Sequence, residues 1–439
     1  MNHYKISMLR KHVLLIIFIP LLSYGQNSKQ KSGITPFNQI AENYVRLGLA
    51  IGQYDSDFVD AYYGPDSLKP VGVKEAIFPK DRLLNTTNIL LEQLRPYIKD
   101  KSLGKRAIWI RGQLTAFSRR IKMFAGEPAS FELQAKELFG VELPNLGEDH
   151  FRILLNQMDQ LLPGRGDVNA RFQTLANRFV IPREKLDTVI KTCIAESAKR
   201  TRKQVELPHS EEFRLEYVNG KPWSGYNWYQ GNYKSLIQFN SDITALIDRV
   251  IDIASHEGYP GHHVYNTLFE KNLYHNKGWI EISLYPLFSP QSLIAEGSGN
   301  YGLEVAFPGE EKINFTKSVV LPLAGLDTTG IGAYYQALAI KGKLQHVRTE
   351  VTRRVINGTM NDDEAIRWLM NYGLFNKEDA VRSLSFSRKY QSYVINYTYG
   401  YDLVKNYIER NGGTSNNPSK RWELFKWLLS NEVTPADMQ

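Results

Sequence analysis

Three of the chain's nine histidines and one carboxylate fall within the eight residues His256-Glu257-Gly258-Tyr259-Pro260-Gly261-His262-His263. Imidazoles and a carboxylate at such close spacing are suited to holding a metal and activating water. In the H-E-x-x-H arrangement, two histidines four apart on one helical face grip zinc, and the intervening Glu takes a proton from water. Here the fourth position is Pro260. In a regular helix its ring would collide with the carbonyl of His256, and Gly261 adds backbone freedom, so a bulge or break is expected. On an undisturbed helix His262 would lie on the wrong face, and His263 would sit ~10 Å along the right one. A local widening is needed for either to close the site. His262 is preferred, with Pro260-Gly261 read as a two-residue insertion, and His263 is the alternative.

The elements that must position these groups can be read on either side. Ile243, Leu246, Ile247, Val250, Ile251 and Ala254 recur at three-and-four spacing, which predicts a buried helix leading into His256, with Asp242 as its cap. A third ligand has to come from a later segment. Gluzincin-type sites take a Glu a few dozen residues on, and Glu296 in Ile294-Ala295-Glu296-Gly297-Ser298-Gly299-Asn300-Tyr301 opens a predicted helix that continues to Glu304. Two imidazoles, one carboxylate and an open position would suit one Zn2+ per chain.

The H-E-x-x-P-G-H-H run, the Glu296-Gly297 pair and the early Phe58-Val59-Asp60-Ala61-Tyr62-Tyr63-Gly64-Pro65 segment resemble the domain-of-unknown-function 885 family, bacterial proteins regarded as zinc metallopeptidases. The resemblance implies a mainly α fold, like the helical gluzincin peptidases, around a deep catalytic cleft. It also implies a site made by His256, Glu257, His262 and Glu296. Ser298 stands where the family commonly has Trp, which bears on the shape of the pocket. Tyr397 to Gly400 matches the family's late Tyr-x-x-Gly helix start, so the resemblance makes Tyr397 the phenol that steadies an oxyanion. Arg388 is a candidate guanidinium for a substrate carboxylate.

Residues 1–25 join a basic start (Lys5, Arg10, Lys11) to an apolar run from Val13 to Leu22, the pattern of a secretory signal peptide. The run is too short to span a bilayer, and stable membrane insertion after cleavage is not expected. Export to the periplasm or beyond is. Removing three positive charges from a net +8 leaves +5, a mild excess with no basic arm for nucleic acid. A lone Cys193 excludes an internal disulfide and reads as a buried apolar residue.

Residues 26–36 read as a polar tether, 37–206 as an N-terminal helical half and 207–439 as a catalytic half. Helical spacing predicts helices at 37–53, 83–98, 107–124, 129–139, 150–162, 168–179 and 183–198, and a further helix ending at the Tyr62-Tyr63-Gly64-Pro65 turn. The period changes to two at 213–218 and 233–239, which predicts a small hairpin or sheet beside the metal helix. Trp223, Tyr226, Trp228, Tyr229 and Tyr233 lie between and within its strands. An edge strand there could pair with an extended peptide, with the aromatics lining its pockets. Helices are expected again at 264–273, 290–305, 313–323, 333–355, 362–372 and 377–389.

Together these features predict zinc-assisted hydrolysis of a peptide substrate, with Glu257 as base. Serine chemistry is disfavoured because Gly297-Ser298-Gly299 lacks the G-x-S-x-G elbow and a preceding strand. The alternatives are an exported peptide- or glycan-binding protein that keeps an inactive zinc site, and a hydrolase of non-peptide amides or esters.

Overall fold

The first helix begins at Pro36, a residue suited to an opening turn. It buries Phe37, Ile40, Ala41, Tyr44, Val45, Leu47, Gly48 and Ile51 along one face to Gly52. This computed structural model describes residues 35–221 and 223–439. The signal segment and nearly all of the tether lie outside the described residues. Helices follow at Lys80–Leu94, Gly104–Phe124, Phe131–Phe139, Glu148–Leu161, Val168–Ala176 and Leu186–Arg202, within a few residues of the periodicity-based bounds. Local chemistry explains several ends. The Ser130 and Asp167 side chains accept from Leu133 N and Ala170 N, and Gly140 closes a helix in the left-handed region.

Residues 36–439 form one compact unit. A continuous apolar core runs from Phe37 to Met438, so the two halves of the chain share one interior. Tyr44 stacks on Phe117 at 5.0 Å, tying the first helix to Gly104–Phe124. Cys193 is buried within Leu186–Arg202, as its pattern implied. The protein is mainly helical, with two small sheets. Among the described residues no helix is long and apolar enough to cross a membrane.

Two elements differ from the periodicity-based reading, β1 and the start of the helix before His256. The segment before the Tyr62-Tyr63-Gly64-Pro65 turn is strand β1 (Val59–Tyr62), not a helix. The chain at 284–286 supplies the antiparallel partner that local pattern cannot reveal. The period-two segments form the expected small sheet, which has three strands, β2 (Glu212–Val218), β3 (Gly225–Gly231) and β4 (Lys234–Asn240), in the order β2-β4-β3. β2 and β4 run parallel, and the aromatic segment between them forms the third strand, an edge. The partner of β1 is β5 (Leu284–Pro286). Finally, the helix before the metal turn starts at Ile247, not after Asp242. Leu246 bridges to Val180, and the Asp242 carboxylate accepts from Gly220 N at 2.6 Å, so neither residue is free to open the helix.

In the second half, helices follow at Pro290–Ala306, Ile331–Leu344, His346–Ile356, Asp362–Gly373, Lys377–Tyr390 and Ile395–Arg410, and the first of these packs on the turn at Ala254–Gly258. Asn361 and Asn376 cap two of them through side chains that accept from Glu364 N and Asp379 N.

Candidate metal centre

The helix Ile247–Ile253 widens into a π turn over Ala254–Gly258, and a new helix starts at His262. This is the break that Pro260 and Gly261 predict. Gly261 is required there: a Cβ on it would lie 1.9 Å from the His256 carbonyl oxygen, and its N–H donates to Ser255 O at 3.0 Å. The chain therefore folds back tightly on His256. As a result the rings of His256 and His262 stand perpendicular, with centroids 4.6 Å apart.

Glu296 arrives from the helix Pro290–Ala306. Its Oε2 lies 3.3 Å from His256 Nε2 and 3.7 Å from His262 Nε2. Donor atoms held at about 2.0–2.1 Å around one tetrahedral zinc sit about 3.3 Å from one another, so these separations fit an ion between them. Oε2 is buried and accepts no aligned hydrogen bond, whereas Oε1 accepts one from Tyr393 Oη at 2.8 Å. A buried, bare carboxylate oxygen is costly unless a cation meets it. The donor set of two nitrogens and one oxygen fits zinc.

Glu257 also falls within this group. One ligand atom from each of His256, Glu257 and His262 lies within 4.8 Å of the others. The shorter spacings belong to Glu296, which leaves Glu257 beside the ion's place rather than on it. Its carboxylate rests against Gly225 of β3, where a Cβ would come within 3.2 Å of Oε1, and its carbonyl accepts from Asn227 Nδ2 at 2.6 Å. The sheet thus fixes the turn. Burial raises the proton affinity of Glu257, with His256 and His262 opposing. For His256, burial works against the charge, but Glu257 and Glu296 outweigh it and lift the pKa to about 9. For Glu296 burial is likewise outweighed, by His262 and His256, which hold it far below the usual carboxylate range.

His263 is turned away. It is fully buried, with Nδ1 2.9 Å from Ser235 Oγ and Nε2 2.7 Å from Glu211 Oε2. Of the two adjacent histidines, the structure brings His262 to Glu296 and keeps His263 in the core.

Glycines also bring the phenols in. A Cβ on Gly297 would lie 2.2 Å from Gly400 O, and one on Gly400 would lie 2.6 Å from Leu293 O. The helices Pro290–Ala306 and Ile395–Arg410 therefore cross nearly backbone to backbone, which carries Tyr393 and Tyr397 up to Glu296. On the other side of the same helix Gly299 leaves room for the His256 ring, 3.0 Å from where a Cβ would be. Ser298 is tucked back, its hydroxyl donating to Ala295 O at 2.9 Å. Tyr397 is half-buried; burial raises its phenol, and Glu296 and Glu257 lie close enough to raise it further.

Arg388 is not brought to this group. It is exposed and pairs with Asp362 at the surface, because its helix turns that face outward. Residues that pattern reading passed over do converge. Tyr393 precedes Tyr397 by one helical turn's spacing, which was a usable signal. Asp60, in β1, accepts from the Tyr226 hydroxyl of β3; burial raises it to about 6, and His262, Glu296 and Glu257 all act on it. Arg348, from His346–Ile356, stands 6.0 Å from the Tyr397 ring centre. Of the aromatic cluster, Tyr229 is buried and bonded to Glu270, while Trp228 is exposed.

No family model matches the sequence, and no curated protein does. The fold is similar to that of a protein described as a lipoprotein from Colwellia psychrerythraea, with a TM-score of 0.53 and 15% identity over 81% of this chain. This chain spans 65% of that protein's length. Looser similarity extends to an M32 carboxypeptidase from Deinococcus radiodurans R1 (TM-score 0.44, 12% identity, 92% of this chain and 94% of that one). A lipoprotein of unknown function from Shewanella oneidensis is similar at a TM-score of 0.43 and 13% identity, over 81% of this chain and 73% of that one.

Proposed function

We propose that the protein is an exported zinc-dependent hydrolase of the domain-of-unknown-function 885 type, acting as a metallopeptidase. The observation that carries this reading is the meeting of His256 Nε2, His262 Nε2 and the bare Oε2 of Glu296, with Glu257 beside them. His256, His262 and Glu296 would hold the zinc, which when bound supplies Lewis acidity for water and carbonyl alike.

The chain's own groups do the rest. Glu257 accepts a proton from the attacking water and delivers it to the leaving nitrogen as the C–N bond breaks, giving a carboxylate and an amine. Tyr393 orients Glu296 by holding Oε1. Tyr397 offers a neutral O–H to the developing oxyanion. β3 is an edge strand whose Gly225 touches Glu257, a placement that suits an extended peptide lying along it.

The test is zinc content by elemental analysis of the mature protein, wild type beside His262→Ala and His263→Ala, followed by a peptide-library screen. One zinc per chain that is lost with His262→Ala and kept with His263→Ala, together with peptide turnover, supports the reading. A zinc-loaded wild type that cleaves no peptide would overturn the peptidase. A wild type that takes up no zinc would overturn the hydrolase.

A further inference from the structure

The described buried arginines Arg106, Arg119, Arg353 and Arg421 each reach a carboxylate: Glu281, Glu137, Glu350 and Glu409 respectively. Arg348 does not. Its guanidinium lies between two rings, 5.8 Å from the Phe386 centre and 6.0 Å from the Tyr397 centre. Its Nε is buried with no hydrogen-bond partner, while the side chain as a whole keeps some open surface. Among the described residues no carboxylate forms an ion pair or hydrogen bond with it, and burial lowers its proton affinity. Arg249, on the helix that runs into His256, is already paired with Asp252.

Leaving a guanidinium partly out of water and without a carboxylate partner is costly. Such an arrangement favours an anion from outside the chain. The planar fork of Arg is shaped for a carboxylate, and the flanking rings restrict its plane.

We infer that Arg348 binds the free α-carboxylate of the substrate, making the enzyme a carboxypeptidase that releases the last residue of a peptide. This rests on the hydrolase reading above and names its substrate class. The placement links it to the site: Arg348 stands 6.0 Å from the Tyr397 ring centre, and that ring lies 5.8 Å from the ring of Tyr393, which donates to Glu296 Oε1. A carboxylate on Arg348 is therefore on the side of the bond under attack, where the terminal residue's own carboxylate would lie. The exposed Arg388, engaged with Asp362, is not needed for this task.

The experiment uses an N-acetylated short peptide in three forms: free acid, C-terminal amide, and amide with Glu as its last residue. For wild type and Arg348→Gln, kcat and KM are measured with zinc bound, and binding to the zinc-free protein is measured by calorimetry. Wild type should prefer the free acid by about 30–100-fold, the range of a hydrogen-bonded charge pair. Arg348→Gln should lose that preference mainly through KM while keeping its zinc, with a melting temperature no lower than that of wild type. Arg348→Lys should recover part of the preference.

Equal use of acid and amide by an active wild type would overturn this inference and leave the hydrolase standing. So would preference for the Glu amide, or an Arg348→Gln loss shared by all three peptides. Acid-selective binding that depends on Arg348 without any hydrolysis would keep the carboxylate site and remove the enzyme.

Discussion

The close helix crossing that brings Tyr393 and Tyr397 to Glu296 can be tested by one methyl group. In Gly297→Ala the new Cβ would lie 2.2 Å from Gly400 O, 2.3 Å from its carbonyl carbon and 2.9 Å from its Cα. All three are backbone atoms, so no side chain can swing away. Restoring ordinary contact needs the helices to part by roughly 1.2 Å, an overpacking that costs about 1–3 kcal/mol. Alanine in a helix interior returns about 1 kcal/mol over glycine. The net expectation is a loss of up to about 2 kcal/mol in urea unfolding of the zinc-free protein. Gly342→Ala in the helix Ile331–Leu344 is the control, since a Cβ there meets nothing within 4 Å. It should stabilise by about 0.5–1 kcal/mol. The opposite signs make the comparison decisive. Parting the helices also draws Tyr393 off Glu296, and a shift near 1 Å costs about 100-fold in rate. A Gly297→Ala protein as stable as Gly342→Ala, with full activity, would refute the close crossing.

Glu257→Gln should lower kcat by about 10²–10⁴-fold while zinc content stays at the wild-type value; retained turnover would remove Glu257 as the base. Tyr393→Phe deletes the hydrogen bond to Glu296 Oε1, and competition with a chelator should show zinc held about 10–100-fold more weakly. Glu211 gives a pH test. Burial alone would raise its pKa, but donors from His263, Arg202 and Tyr259 prevail and lower it to about 2 from 4.5. A depressed carboxylate stabilises the fold above about pH 4.5, and the contribution is lost as pH falls towards 2. In zinc-free protein the stability gap between wild type and Glu211→Gln should be about 3 kcal/mol at most near pH 6, narrowing through that window. A gap independent of pH would show that the Glu211 charge contributes nothing.

The metal turn was legible because its constraints are local. Pro260 four residues after His256 forbids a regular helix whatever the rest of the chain does, and the π turn and restart at His262 follow from it. The helices were legible for the same reason, their apolar spacing being a property of each segment alone. β1 was misread because its partner β5 lies more than two hundred residues away. β2 and β4 alternated clearly, but alternation carries no information about direction, so their parallel pairing around β3 could not be read. Arg388 and Arg348 sit on neighbouring helices, and neither local sequence says where its guanidinium ends up. Only packing shows that one meets Asp362 in solvent and the other faces Tyr397 without a carboxylate.

The adjacent histidines show where pattern and packing divide the work. His262 and His263 are chemically identical, and spacing from His256 allowed either to close the site. Their separation comes from residues far upstream: Ser235 in β4 takes Nδ1 of His263, and Glu211, just before β2, takes Nε2. Glu211 also accepts from the Tyr259 hydroxyl at 2.7 Å and pairs with Arg202. A histidine with both nitrogens engaged and no exposed surface has no lone pair to offer an ion. Anchoring His263 also sets the first turn of the helix that begins at His262, which fixes the direction in which the His262 ring points. The buried histidine therefore acts on the site by orientation, through a network of residues that no local motif contains.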